Sequence, residues 1–140
     1  VPDKEVRVYA LNDSPTVRAA ITNFQQENPD VRVNFEVGTS GGASAEDALR
    51  TLNTELVAGK GPDVLILDGM PLQSFIDKGV LAELSQVISA DGLIPQVVDP
   101  MRTDGKLYAV PTRFTVPVLM GKPETLEGRT RGAGRQRRYQ

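Results

Sequence analysis

Ala58-Gly59-Lys60-Gly61-Pro62-Asp63-Val64-Leu65-Ile66-Leu67-Asp68-Gly69 holds a helix stop, a short apolar run, and a carboxylate followed by glycine. Gly59, Gly61 and Pro62 end whatever helix precedes them. Val64 to Leu67 is apolar without alternation, which suits a strand covered on both faces, as in the middle of a parallel sheet. Asp68 and Gly69 then fall at the carboxyl end of that strand, where open α/β sheets bind their ligands.

On the amino-terminal side, the residues around Val6 and Val8 up to Ala10 predict a first strand. Ser14-Pro15 starts a helix, with a capping hydroxyl and a proline at the first helical position. Val17, Ala20, Ile21 and Phe24 recur at helical spacing. Asn28-Pro29 ends that helix, because the residue before proline is driven out of the helical region. Val31, Val33, Phe35 and Val37 alternate with polar residues, as in a half-buried strand near an edge. Gly38 to Gly42 is a flexible loop. Ser44 caps a second helix, with Asp47 in its first turn and Ala45, Ala48, Leu49, Leu52 and Leu56 on its core face. On the carboxyl-terminal side, Pro71 opens a short helix with Leu72, Phe75 and Ile76 inward and Gly79 as its stop. Leu81, Leu84, Val87 and Ile88 suggest another short helix. Residues 89–105 read mostly as loop, with Pro95, Pro100 and Asp104-Gly105 as turn signals. Leu107 to Val110 and Phe114 to Leu119 read as extended segments, and Pro111 and Pro117 make them edge or crossover strands. The order β-α-β-α-β-α predicts an α/β fold: a parallel-rich sheet with right-handed crossovers and helices on both faces.

Composition narrows the chemistry. The 140 residues suffice for one domain with a core. There is no Cys and no His, so disulfides, thiolate sites, the usual catalytic triads and the commonest metal ligand are excluded. No metal, no cofactor and no catalytic residue is expected. No apolar run approaches the ~20 residues of a membrane helix. Residues 1–122 carry 11 Lys and Arg against 16 Asp and Glu, a net of −5. Such an acidic body argues against nucleic acid as a partner. Residues 123–140 carry five Arg against two Glu, a net of +3. The stretch Gly128 to Arg138 has almost nothing to bury, and residues 122–140 are expected to be a disordered tail beside a lobe spanning residues 1–121.

Candidate functional groups are sparse. The glycines at 38, 41 and 42 stand between a strand and a helix, but neither phosphate-loop pattern is present. Asp13 and Asp104 suit capping or turn roles. Asp68 suits either local hydrogen bonding or a ligand hydroxyl, since carboxylates accept strong hydrogen bonds. Arg113-Phe114 pairs a cation with a ring, as a ligand clamp or as a solvated Arg beside a packed Phe. From these residues alone, a small doubly wound nucleotide-handling or regulatory domain, an edge-strand interaction domain and a binding lobe all remain open.

Four pieces together resemble one family. They are Phe24-Gln25-Gln26-Glu27-Asn28-Pro29-Asp30-Val31-Arg32-Val33, Leu56 to Val64, Gly79-Val80-Leu81-Ala82-Glu83-Leu84, and Gly105-Lys106-Leu107-Tyr108-Ala109-Val110-Pro111. Their order and spacing over residues 4–121 resemble the extracellular solute-binding proteins of ABC importers, especially the group rich in sugar binders. The resemblance implies a periplasmic-binding-protein fold of two α/β lobes, here the amino-terminal one. A small solute, a sugar or oligosaccharide, would lie in the interlobe cleft and pass to an ABC permease in the membrane. It implies no enzymatic activity and a periplasmic or extracellular location, with or without a lipid anchor on the full precursor. Ligand contacts carried over to this chain are Asn12, Asp13, Thr39, Ser40, Asp68, Gly69, Thr112, Arg113 and Phe114. The resemblance stops near Gly121, and the Arg- and Gly-rich residues beyond look like translation in a shifted frame or another artefact of the sequence. A lobe without its partner is expected to be marginally stable or self-associating through exposed strand edges, and to bind ligand poorly.

Overall fold

A computed structural model describes residues 4–89 and 91–111. The chain divides into two compact units, Val1–Glu83 and Leu84–Gln140.

The first unit contains β1 (Lys4–Ala10), α1 (Pro15–Glu27), β2 (Val31–Val37), α2 (Ala45–Val57), β3 (Val64–Ile66) and α3 (Leu72–Asp77). The strands form one parallel sheet in the order β2-β1-β3. Val8 pairs with Phe35 on one side and Val64 on the other, and Tyr9 with Glu36 and Leu65. Because side chains alternate across a strand, this register sorts the two faces. Tyr9 and Leu11 join Ala48 and Leu52 of α2, Met70, and Phe75 of α3 in the core, with Leu65 and Leu67 packed against them. Phe75 is 0% and Leu52 1% exposed. The opposite face carries Val8, Ala10, Phe35, Val37, Val64 and Ile66. On that face α1 packs on β2, with the Arg18 guanidinium over the Phe35 ring. Helices therefore lie on both faces, and the fold is an α/β lobe with a parallel sheet.

The helix signals work as their chemistry requires. Ser14 Oγ accepts from the Val17 N–H at 3.3 Å with Pro15 at the first helical position, and Ser44 Oγ accepts from the Asp47 N–H at 3.1 Å. After α2, Gly59 at φ +71 lets the Lys60 N–H reach the Glu55 carbonyl (2.9 Å) and its own N–H the Leu56 carbonyl (3.1 Å). That is a Schellman stop, open to glycine because the left-handed conformation costs it little.

Several expectations are corrected. Among the described strands β1 lies between β2 and β3, and the ladder of the apolar run at Val64–Leu67 stops at Ile66. The central strand carries Arg7, whose guanidinium is satisfied by Glu36 Oε1 and Oε2 (both 3.1 Å) and by the carbonyls of Lys60 (3.0 Å) and Gly61 (3.4 Å). One cation thus ties β1 to β2 and to the turn entering β3. The helix expected across Leu81–Ile88 is a single turn, Leu84 to Ile88, with Val87 left 78% exposed.

In the second unit, Pro95 starts a helix instead of only marking a turn. This is α4 (Pro95–Val98), followed by a 3₁₀ turn at Asp99–Met101. Val98 and Leu107 are buried. Leu107–Val110, expected as a strand, forms no ladder among the described residues. The pairing there is a two-residue hairpin at Thr103 and Lys106, whose tip, Asp104-Gly105, has φ +51 and +76. Phe114–Leu119 and residues 122–140 lie outside the described residues.

Candidate functional site at the carboxyl ends of the strands

Parallel strands bring three loops to the same sheet edge. The loop after β1 carries Asn12 and Asp13, the loop after β2 carries Thr39 and Ser40, and the turn after β3 carries Asp68 and Gly69. Six of the nine expected contact residues therefore share one edge, with the β1 loop in the middle. Thr112, Arg113 and Phe114 lie outside the described residues.

The β1 and β2 loops are stitched together. The Gly38 N–H donates to the Ala10 carbonyl at 2.9 Å and the Thr39 N–H to the Leu11 carbonyl at 3.0 Å, which extends the ladder past the strands. The Thr39 hydroxyl then donates to Asn12 Oδ1 at 3.3 Å. Ser40 opens a 3₁₀ turn, Ser40–Gly42, and is exposed. Gly38 is needed for space: a Cβ there would overlap the Tyr9 hydroxyl and lie 2.9 Å from Tyr9 Cζ and 3.0 Å from Ala48 Cβ.

Asp13 is committed locally. Its Oδ1 accepts from the Ser14 N–H at 2.8 Å and from Arg18 Nε at 2.6 Å. The Arg18 hydrogen bond holds its carboxyl below the usual carboxylate range against the opposing cost of desolvation, with smaller help from the Arg18 charge and the Ser14 N–H. The Arg18 guanidinium in turn lies 5.0 Å above the Phe35 ring centroid. At β3, Leu67-Asp68-Gly69-Met70 closes as a turn with the Met70 N–H on the Leu67 carbonyl at 3.0 Å. Gly69 sits at φ +74 and leaves Asp68 exposed at the tip.

Sequence reasoning missed Arg18, Phe35 and Arg7. The Asp13–Arg18 pair spans five residues and joins a loop to a helix, so the i,i+3 and i,i+4 rules for helix surfaces do not find it. Chemically the edge offers amide, hydroxyl and carboxylate groups. Among the described residues, no group of three or more Asp and Glu is placed to hold a metal ion. No described helix is long and apolar enough to cross a membrane.

The sequence model of the bacterial extracellular solute-binding protein family matches residues 11–127. An uncharacterized ABC transporter extracellular-binding protein from Pyrococcus horikoshii is 26% identical over 99 residues, which is 70% of this chain and 22% of that protein. A putative binding protein from Brucella abortus is 27% identical over 109 residues, 76% of this chain and 25% of its own length. The chain thus spans about a quarter of the length of the curated relatives it matches. Among solved structures, a family 1 extracellular solute-binding protein from Bifidobacterium longum subsp. infantis superposes with a TM-score of 0.61 at 21% identity, over 76% of this chain and 27% of that one. An ABC substrate-binding protein from Listeria monocytogenes in complex with cycloalternan gives 0.54 at 22% identity, over 74% and 27%. These likenesses establish a periplasmic-binding-protein-like fold.

Proposed function

The chain belongs to the bacterial extracellular solute-binding protein family, and we propose that it supplies one wall of a solute receptor for an ABC importer. The ligand is a small solute, a sugar or oligosaccharide, enclosed between this lobe and a second one and delivered to a permease in the membrane. The observation that carries this reading is the convergence of Asn12 and Asp13, Thr39 and Ser40, and Asp68 and Gly69 on one sheet edge of a lobe with this fold. Amide, hydroxyl and carboxylate groups suit a ligand rich in hydroxyls, each of which donates one hydrogen bond and accepts others. The structural relative with cycloalternan bound supports the saccharide class.

In this role the protein binds and releases, and makes or breaks no covalent bond. It works in the periplasm or outside the cell. Thr112, Arg113 and Phe114, which lie outside the described residues, are proposed as further ligand contacts on the family resemblance alone. A single wall covers little of a ligand, whereas specific pockets bury most of it, so the 140-residue chain alone binds weakly and is either marginally stable or self-associated through exposed strand edges.

The test is a thermal-shift series on the protein carrying both lobes, with neutral oligosaccharides, amino acids, polyamines and nucleotides at equal concentration. Stabilisation by oligosaccharides alone supports the reading. Stabilisation by amino acids or nucleotides, with none from any saccharide, overturns the ligand class.

A further inference from the structure

The Asp13 carboxylate is exposed, and so is the cation that holds it: their side chains are 57% and 54% accessible. Two such groups on a loop and a helix surface would ordinarily sample many rotamers, because fixing long side chains costs entropy that a solvated ion pair barely offsets. Here the cation is braced. Arg18 lies 5.0 Å above the ring of Phe35, a residue anchored in β2 by its pairing with Val8. A guanidinium stacks on a ring face and keeps its N–H groups free at the edge. Its Nε meets Asp13 Oδ1 at 2.6 Å, and the Ser14 N–H meets the same oxygen at 2.8 Å. Both hydrogen bonds given to this carboxylate go to Oδ1, and Oδ2 receives neither.

We propose that Arg18 is a positioning residue of the ligand wall: braced on Phe35, it holds the Asp13 carboxylate in one orientation at the end of β1 and presents Oδ2 to a ligand hydroxyl. Support runs from the sheet through Phe35 to Arg18 and then to Asp13, so a residue in the first turn of α1 acts on the site without touching the ligand. This rests on the ligand reading given above. The lowered titration of Asp13 agrees with it, since Arg18 is the charged group that acts on this carboxyl. A lysine at 18 keeps the charge but loses the plane that stacks and the fork that bonds.

The experiment uses the 140-residue chain, with two readouts by nuclear magnetic resonance. One is the titration midpoint of the Asp13 carboxyl carbon without ligand. The other is the Kd for maltotriose at millimolar concentration, followed at the amides of Asn12 and Asp13. The variants are Arg18→Gln, Arg18→Lys and Phe35→Leu. Arg50→Gln, which breaks an exposed pair with Glu46 and Asp47 on α2, is the control. Arg18→Gln is expected to raise the Asp13 midpoint and weaken maltotriose roughly three- to fivefold, the scale of an exposed ion pair. Arg18→Lys recovers the midpoint in part but not the affinity, Phe35→Leu falls between, and Arg50→Gln matches the wild type. Should Phe35→Leu fail to fold, Phe35→Tyr, which keeps the ring, must match the wild type. An unchanged Asp13 midpoint in Arg18→Gln overturns the proposal. Equal weakening by Arg50→Gln overturns it too. If maltotriose shifts no amide in the wild type, the ligand reading fails for that probe. The ligand-free titration then decides alone: a raised midpoint in Arg18→Gln sustains the positioning role and an unchanged one removes it.

Discussion

Replacing Gly38 by alanine tests how tightly the β2 loop is seated on the core. The added Cβ would overlap the Tyr9 hydroxyl and press on Tyr9 Cζ at 2.9 Å and Ala48 Cβ at 3.0 Å. Tyr9 cannot simply swing away, because it is 8% exposed and packed in the core with Leu52 and Phe75. Close-packed interiors answer such insertions with strained rotamers or backbone shifts, at about 1–3 kcal/mol. In a domain of 60–100 residues each kcal/mol lowers the melting temperature by about 4–8 °C. Gly38→Ala should therefore melt at least ~4 °C below the wild type by circular dichroism. Tyr9→Phe removes the overlapped oxygen, so the double variant should recover about half of the loss when compared with Tyr9→Phe alone. Gly38 precedes Thr39, so the single variant should also shift the amides of Thr39 and Asn12. Wild-type stability in Gly38→Ala, or no rescue by Tyr9→Phe, would refute the packing argument.

Phe75 is 0% exposed at the centre of the core, so Phe75→Ala should cost about 3–5 kcal/mol and unfold much of the lobe at 37 °C, read by urea titration. In acid, the lowered Asp13 carboxyl means that its contribution to stability is present above the ordinary value of 3.8 and is lost as pH falls through the folded value. Wild type and Arg18→Gln should differ in melting temperature at neutral pH by an amount that shrinks only as pH falls below 3.8 through the folded value; a difference that persists undiminished well below that pH would contradict the pairing. In alkali the sign reverses. Burial raises the Tyr9 phenol above 10.0, helped by the charges of Glu55 and Glu36, so its neutral form stabilises the fold below pH 10.0 and that contribution is lost as pH rises through the folded value. Tyr9→Phe should flatten the alkaline fall in stability, and an unchanged profile would remove Tyr9 as its source.

The alternation of elements was legible because each boundary had a local chemical cause. Ser14-Pro15, Ser44, Gly59 and Gly79 act within one helical turn of themselves, so a linear reading finds them. The order of the strands was not legible, because it depends on partners distant in sequence. Among the described residues Val64–Ile66 pairs with β1, more than fifty residues upstream, and the Arg7 N–H just before that ladder is taken by the Asp63 carboxylate at 2.8 Å. The partly exposed Arg7 guanidinium finds its hydrogen-bond partners in Glu36 and the Lys60 and Gly61 carbonyls, 29 and more residues away, which no local reading locates. At the site, the loops after the strands could be placed from fold logic, since a parallel sheet must carry its loops to one edge. What each side chain does there was not readable. Thr39 bonds Asn12 across 27 residues, and Asp13 bonds an arginine braced on another strand.

The claim that this sheet edge is a solute-binding wall is tested most directly by mapping amide shifts across the protein carrying both lobes while the oligosaccharide that stabilises it is titrated in. The account predicts that, within this lobe, the largest shifts fall at residues 12–13, 39–40 and 68–69, and that Asp68→Asn and Asn12→Ala each weaken binding about tenfold, near the ~1.4 kcal/mol of one lost hydrogen bond to a ligand. Shifts concentrated on the opposite end of the sheet, near Lys4, Val31 and Asp63, with both variants binding as tightly as the wild type, would contradict it.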